Sequence, residues 1–113
     1  MRNVGELLKR IMESIKAVEK YPAETPERIE NDDMYQVWII HHLTGIGEAA
    51  NQLPTTFRDQ HTEIPWKKII GFRHQAVHDY DAIDIPTVWF IVVHDLPDLK
   101  IRVQAILDRE FIG

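Results

Sequence analysis

Ile39-Ile40-His41-His42-Leu43-Thr44-Gly45-Ile46-Gly47-Glu48-Ala49-Ala50-Asn51-Gln52-Leu53 carries apolar residues at 39, 43, 46, 50 and 53. Steps of four, three, four and three keep one side of a helix apolar, because about 3.6 residues make a turn. The same steps occur at Val4, Leu8, Ile11, Ile15 and Val18, and again at Val92, Leu96, Leu99, Val103 and Ile106. Each seam lasts only about two heptads before breakers end it, which favours a compact bundle over a coiled coil. No strand-like alternation, hairpin dipeptide or low-complexity tract interrupts the pattern. The expected fold is all-α, an antiparallel bundle of four to five helices in one domain over 1–113.

Breakers mark the boundaries. Tyr21-Pro22 stops the first helix, and residues 22–31, with two prolines and several acids, make a connector. Asn31 or Asp32 caps the second long helix and Pro54 ends it. Residues 54–63 read as a polar loop. Pro65 suits the first turn of a third helix, where its missing N–H is no loss. That helix carries Trp66, Ile69, Ile70, Phe72 and Val77 and is expected to reach about Tyr80. Asp84 with Pro86 repeats the start signal. Pro97 then lies inside the last helix, where it kinks it or splits it with Asp95 as a fresh cap.

Composition narrows the function. The 113 residues include no Cys, which excludes a disulfide framework, a thiolate zinc site and a Cys nucleophile, and fits a reducing cytoplasm. Met1-Arg2-Asn3-Val4-Gly5-Glu6 is charged and reads as no signal peptide. The apolar runs fall far short of the roughly 18 residues of a membrane span. With 13 Lys and Arg against 18 Asp and Glu, the net charge of −5 argues against a broad nucleic-acid coat. A small basic site is still allowed, since Arg58, Lys67, Lys68, Arg73 and His74 fall in one short stretch, while acids crowd 24–33 and 79–84.

Within that stretch, Arg73-His74-Gln75-Ala76-Val77-His78-Asp79-Tyr80 joins a fixed cation, a group that titrates near neutral pH and a phenol. Cleavage of RNA by its own 2′-hydroxyl needs a base, an acid and a cation for the phosphoryl group. Imidazole serves as base or acid, and the planar guanidinium matches phosphate oxygens. Five helical steps separate Arg73 and His78 by roughly 140° about the axis. They meet one phosphate only if the helix ends near His78 or two copies of the motif face each other. One His per chain is also one proton carrier short, which points to a symmetric dimer. On the structural alternative, His78 caps a helix end and Arg73 pairs with Asp79 or Asp81. His74 and His78 also have metal-ligand spacing, but no third ligand is evident and no metal or cofactor is expected. His41 and His42 read as packing or surface residues, and His61 and His94 lack evident partners. Glu48, in the small-residue stretch 45–50, is exposed or paired with an Arg such as Arg73. Gly71, inside the third helix, suggests a close crossing or a bend.

At these residues the chain resembles the HepT-like members of the HEPN superfamily. The resemblance runs through Ile46-Gly47-Glu48-Ala49-Ala50, Leu53-Pro54, Ile64-Pro65-Trp66, Ile69-Ile70-Gly71-Phe72-Arg73-His74, Val77-His78-Asp79-Tyr80, Val88-Trp89 and Asp95-Leu96-Pro97, and covers roughly 36–107. It implies a dimerising helical bundle and a metal-independent ribonuclease toxin whose Arg-x4-His-x-Tyr motif lines a cleft between subunits. Arg73 and His78 would be the catalytic pair, with His74 and Glu48 in support. It also implies a nucleotidyltransferase antitoxin of the MNT type that silences the toxin by transferring AMP to Tyr80. The chain departs from the pattern at His74, where many relatives have Asn, and at Asp81, where an aromatic residue often follows the Tyr. The rival to an enzyme is a non-catalytic module that binds a nucleotidyltransferase or a nucleotide.

Overall fold

The computed structural model describes residues 3–111; Met1, Arg2, Ile112 and Gly113 lie outside them, and with them the ends of the expected 1–113 domain and the first two residues of the segment read for a signal peptide. Seven α-helices and no strand make up the described residues: α1 (Val4–Lys20), α2 (Pro26–Glu30), α3 (Asp33–Gln52), α4 (Thr55–Gln60), α5 (Trp66–His78), α6 (Ile85–Phe90) and α7 (Leu96–Glu110). None of these helices is long and apolar enough to cross a membrane.

The three seams are the core. Leu8, Ile11, Ile15 and Val18 of α1 are buried, as are all five seam residues that run from α3 to Leu53, and Leu96, Leu99, Val103 and Ile106 of α7. Burying a Leu or Ile side chain contributes roughly 1.5–3 kcal/mol, so these stripes outweigh any local propensity. Helix α1 runs antiparallel to α3 and to α7. The Tyr35 hydroxyl at the start of α3 donates to the Tyr21 carbonyl after α1, and Gly45 lies beside Ser14. Lys100 at the start of α7 pairs with Glu19 at the end of α1 at 2.9 Å, whereas Phe111, after α7, packs on Gly5.

Of the two candidate caps, Asp32 takes the role, its carboxylate accepting from Tyr35 N. That acceptor role, ahead of the Arg28 guanidinium, holds the Asp32 carboxyl below its ordinary pKa. Asp84 likewise caps α6 by accepting from Thr87 N.

Four expectations are corrected. The connector at 22–31 holds α2, begun by Thr25 and Pro26 and anchored by fully buried Ile29. The loop at 54–63 holds α4, which buries Phe57 against His61 and Trp66. The third long helix stops at His78, not Tyr80. Asp79 leaves helical geometry (φ −152°, ψ 62°), and a single 3-10 turn, Tyr80–Ala82, follows. Asp95 is no cap: its backbone is helical and its side chain caps nothing. The stretch Ile91–Asp95 widens into a π-turn that joins α6 to α7, and a π-turn is one way a helix absorbs a residue that cannot donate, here Pro97.

Candidate active site

Helix α5 positions the motif. Only Trp66 on it is fully buried, its indole N–H donating to the His61 carbonyl at 3.0 Å. Ile69, Ile70, Phe72 and Ala76 are half-buried against the core, and Val77 is 54% exposed. The helix therefore lies on the bundle and is not enclosed by it, and its last turn projects His78 into solvent.

Glycine at 47 lets α5 approach α3. A Cβ there would stand 2.4 Å from the Arg73 Cβ and 2.8 Å from the Ile69 carbonyl oxygen, distances that real side chains do not tolerate. This crossing brings Arg73 to Glu48: the Arg73 Nε–H donates to Glu48 Oε2 at 2.7 Å. The pairing of Arg73 with Asp79 or Asp81 therefore does not occur, and the alternative that joins Glu48 to Arg73 does. Among the described residues the guanidinium makes no other hydrogen bond. Its two terminal nitrogens, with four of the five donors, remain available to an anion. Gly71, by contrast, sits at no close crossing, since a Cβ there would meet nothing within 4 Å.

His78 is the final residue of α5. Its ring lies 4.5 Å, centroid to centroid, from that of His74. Both imidazoles are exposed. No group of three metal-ligand side chains assembles around them or elsewhere among the described residues. Tyr80 is 41% exposed on the 3-10 turn, beside exposed Asp79 and Asp81. Gln75 Nε2 donates to the Ala82 carbonyl at 3.2 Å and ties that turn back to α5. Within one protomer, no hydrogen bond joins Arg73 to His78. Arg73 faces α3, and His78 shares the outward stripe of His74.

Spacing alone did not find two groups. Lys68 pairs with Asp95 of the π-turn at 2.7 Å and ties α5 to the approach of α7. His61 is 5% exposed, with Nδ1 3.4 Å from Glu63 and Nε2 3.2 Å from Glu110. The backbone hydrogen bond to Glu63, with a further contribution from His61, holds the Glu63 carboxyl below its ordinary pKa. His61 thus has partners, but they lie far along the chain or in a loop, where periodicity carries no signal. His41 is exposed and His42 packs its ring on Trp38 at 4.8 Å, as surface and packing residues do. His94 stacks on Phe90 at 4.4 Å.

Residues 11–106 match the protein-family model described as "Ribonuclease HepT-like". The chain is 33% identical over 100 residues to the "Probable ribonuclease HepT" of Thermococcus cleftensis, covering 88% of this chain and 91% of that protein. It is 35% identical over 71 residues to a "Putative RNase" of Caldanaerobacter subterraneus subsp. tengcongensis, covering 63% of each. It is also 32% identical over 112 residues to a "Gamma-glutamylcyclotransferase and putative RNase" of Methanocaldococcus jannaschii, covering 96% of this chain and 49% of that longer protein. The chain thus spans less than two thirds of the length of the first of these last two relatives and about half of the second. No solved structure matches it. A family match over most of the chain, together with an Arg and a His presented at the end of an incompletely covered helix, gives one conclusion: the chain belongs to the HepT-like ribonuclease family.

Proposed function

We propose that two copies of this chain form a metal-independent endoribonuclease whose shared cleft contains Arg73 and His78 from each. The observation that carries this reading is the end of α5 at His78, which leaves the imidazole exposed beyond the bundle while Arg73 keeps four donors free. In the proposed reaction a neutral His78 takes the proton of the ribose 2′-hydroxyl, and that oxygen attacks the adjacent phosphorus. The bond to the 5′-oxygen breaks, a protonated His78 of the partner subunit protonates the leaving oxygen, and a 2′,3′-cyclic phosphate remains. Arg73, oriented by Glu48, stabilises the charge on the phosphoryl oxygens. His74 supports the site by packing against His78.

The role extends, on the same reading, to a toxin restrained by a nucleotidyltransferase antitoxin of the MNT type. Tyr80 suits such control because it stands exposed on the turn after His78. Attack of that hydroxyl on the α-phosphorus of ATP would release pyrophosphate and leave AMP on the ring, adding bulk and negative charge beside the proposed RNA path. One observation favours the rival binding module: Asp79, Asp81 and Asp84 lie close to Tyr80 along the sequence, in a chain of net charge −5, and such charge repels a polyanion.

The test is RNA cleavage in EDTA by the parent and His78→Ala. General acid–base catalysis contributes roughly 10²- to 10⁴-fold, so the variant should lose activity by about that factor with an unchanged circular dichroism spectrum. Equal rates for the two proteins would remove His78 from the mechanism. A parent inert on every RNA, yet tightly bound to a nucleotidyltransferase, would favour the module.

A further inference from the structure

Among the described residues, Arg28, Lys68, Arg73, Lys100, Arg102 and Arg109 each meet a carboxylate within 4.0 Å. Of the cations that do not, Lys9, Arg10, Lys16 and Lys20 belong to α1. The other two, Arg58 and Lys67, line one groove of about 720 Å³ between α4 and α5, with Thr62, Ile70, Gly71 and His74. The Arg58 Nε is shielded from solvent and has no hydrogen-bond partner, and an Nη reaches only Thr55 Oγ1, at 3.5 Å. A single carboxylate, Asp59, shares the groove.

On α5, Lys67, Gly71, His74 and His78 succeed one another by four, three and four residues, and so form one stripe. The groove thus leads along this stripe to His74, whose ring packs against that of His78. Gly71 weakens the interior of a helix although nothing packs within 4 Å of where its Cβ would be. Its missing side chain keeps the lane between Lys67 and His74 clear.

We infer that the groove between α4 and α5 binds the single-stranded RNA segment next to the cut, with Arg58 and Lys67 contacting backbone phosphates. The inference rests on the nuclease reading above and adds the path of the substrate to it. Two unpaired cations in an acidic chain supply the charge complementarity, and a groove open to solvent suits a strand more than a compact ligand. Asp59 opposes binding, so its removal should act in the opposite direction.

The experiment measures binding of a single-stranded oligoribonucleotide to the full chain by fluorescence anisotropy across a salt series. A His78→Ala background prevents cleavage, and parallel rates are taken in proteins that keep His78. Arg58→Gln with Lys67→Gln should weaken binding about tenfold and flatten the dependence of log affinity on log salt by about 0.7 per lost cation. On the oligonucleotide, KM should rise by more than kcat falls, and the loss should exceed that on a dinucleotide. Asp59→Asn should tighten binding. Gly71→Leu should raise the melting temperature and yet weaken binding, a combination that a purely structural role does not give. Lys67→Gln alone, at an exposed position, serves if α4 does not tolerate the loss of Arg58. Parental affinity and salt slope in the Lys67 variant and the double variant would overturn the groove, even where loss of activity in His78→Ala upholds the nuclease. If the parent cuts no RNA and the groove variants still weaken binding, the nuclease reading fails and takes the placement beside a cut with it, while RNA binding by the groove stands.

Discussion

The close contact at position 47 decides where the guanidinium goes. An alanine there would force its Cβ against the Ile69 carbonyl oxygen, which is backbone and cannot swing aside. The two helices must part, and overpacking of this kind costs about 1–3 kcal/mol. Gly47→Ala should therefore lower the free energy of unfolding by that amount, read as a lower urea midpoint with an unchanged m-value, and should slow cleavage by displacing Arg73. A variant as stable as the parent would show that the crossing has room to spare. A second residue gives a pH test. Burial against Trp38, with a smaller contribution from the charge of His41, holds the His42 pKa below the ordinary histidine value. The unfolded chain then binds the proton more readily, so this contribution to stability is complete above about pH 6.5 and declines as pH falls through that value. The urea midpoint should drop between about pH 7.5 and about pH 5.5, and should drop less in His42→Gln. An equal drop in both proteins would place the titration elsewhere.

The three long seams were legible in the sequence because each repeats an apolar step over several turns and buries it. Helices α2 and α4 were not, because each is a turn or two long and anchors itself with one apolar residue, Ile29 or Phe57. A single residue has no period. Thr25-Pro26-Glu27 did hold a helix start signal inside the connector. The motif of α5 was legible as residue types at a spacing, and its end at His78 was one of the two geometries that the chemistry required. The partner of Arg73 was one of several possibilities, since spacing along one helix does not say which acid a second helix brings. The buried His61 was invisible for the same reason. It joins the loop after α4 to the last turn of α7 through Glu63 and Glu110, and its carbonyl accepts from the indole of Trp66. His61→Ala removes a buried ring that packs on Phe57 and lies between Glu63 and Glu110. Truncating a buried side chain of this size leaves a cavity and costs roughly 2–5 kcal/mol, so the variant should unfold at lower urea. Amide exchange should rise first in α4 and at the end of α7. Uniform exchange across the bundle would mean that His61 does not pin these elements in particular.

For the molecule as a whole, the central fact is that Arg73 and His78 of one protomer look in different directions. Arg73 is drawn toward α3 by Glu48, and His78 ends the opposite stripe of α5. Val77 and Tyr80, 54% and 41% exposed, flank His78 and leave apolar and aromatic surface there for a second copy to cover. If the cleft uses His78 of both protomers, as the proposed base and acid require, a dimer of one parent chain and one His78→Ala chain lacks one of the two proton carriers. Unfolding the two proteins together and refolding them should therefore give cleavage that falls as the square of the parent fraction, because only dimers of two parent chains are active. At an equal ratio about half of randomly paired dimers are mixed and about a quarter are parental, so the rate should be about a quarter of that of the parent at the same total chain concentration. Sedimentation should give the mass of two chains for both proteins and for the mixture. Proteins refolded separately and then combined should lose activity only as subunits exchange. A rate that falls in direct proportion to the parent fraction, with dimers intact, would mean that each protomer works with its own His78, and the shared cleft would have to be abandoned.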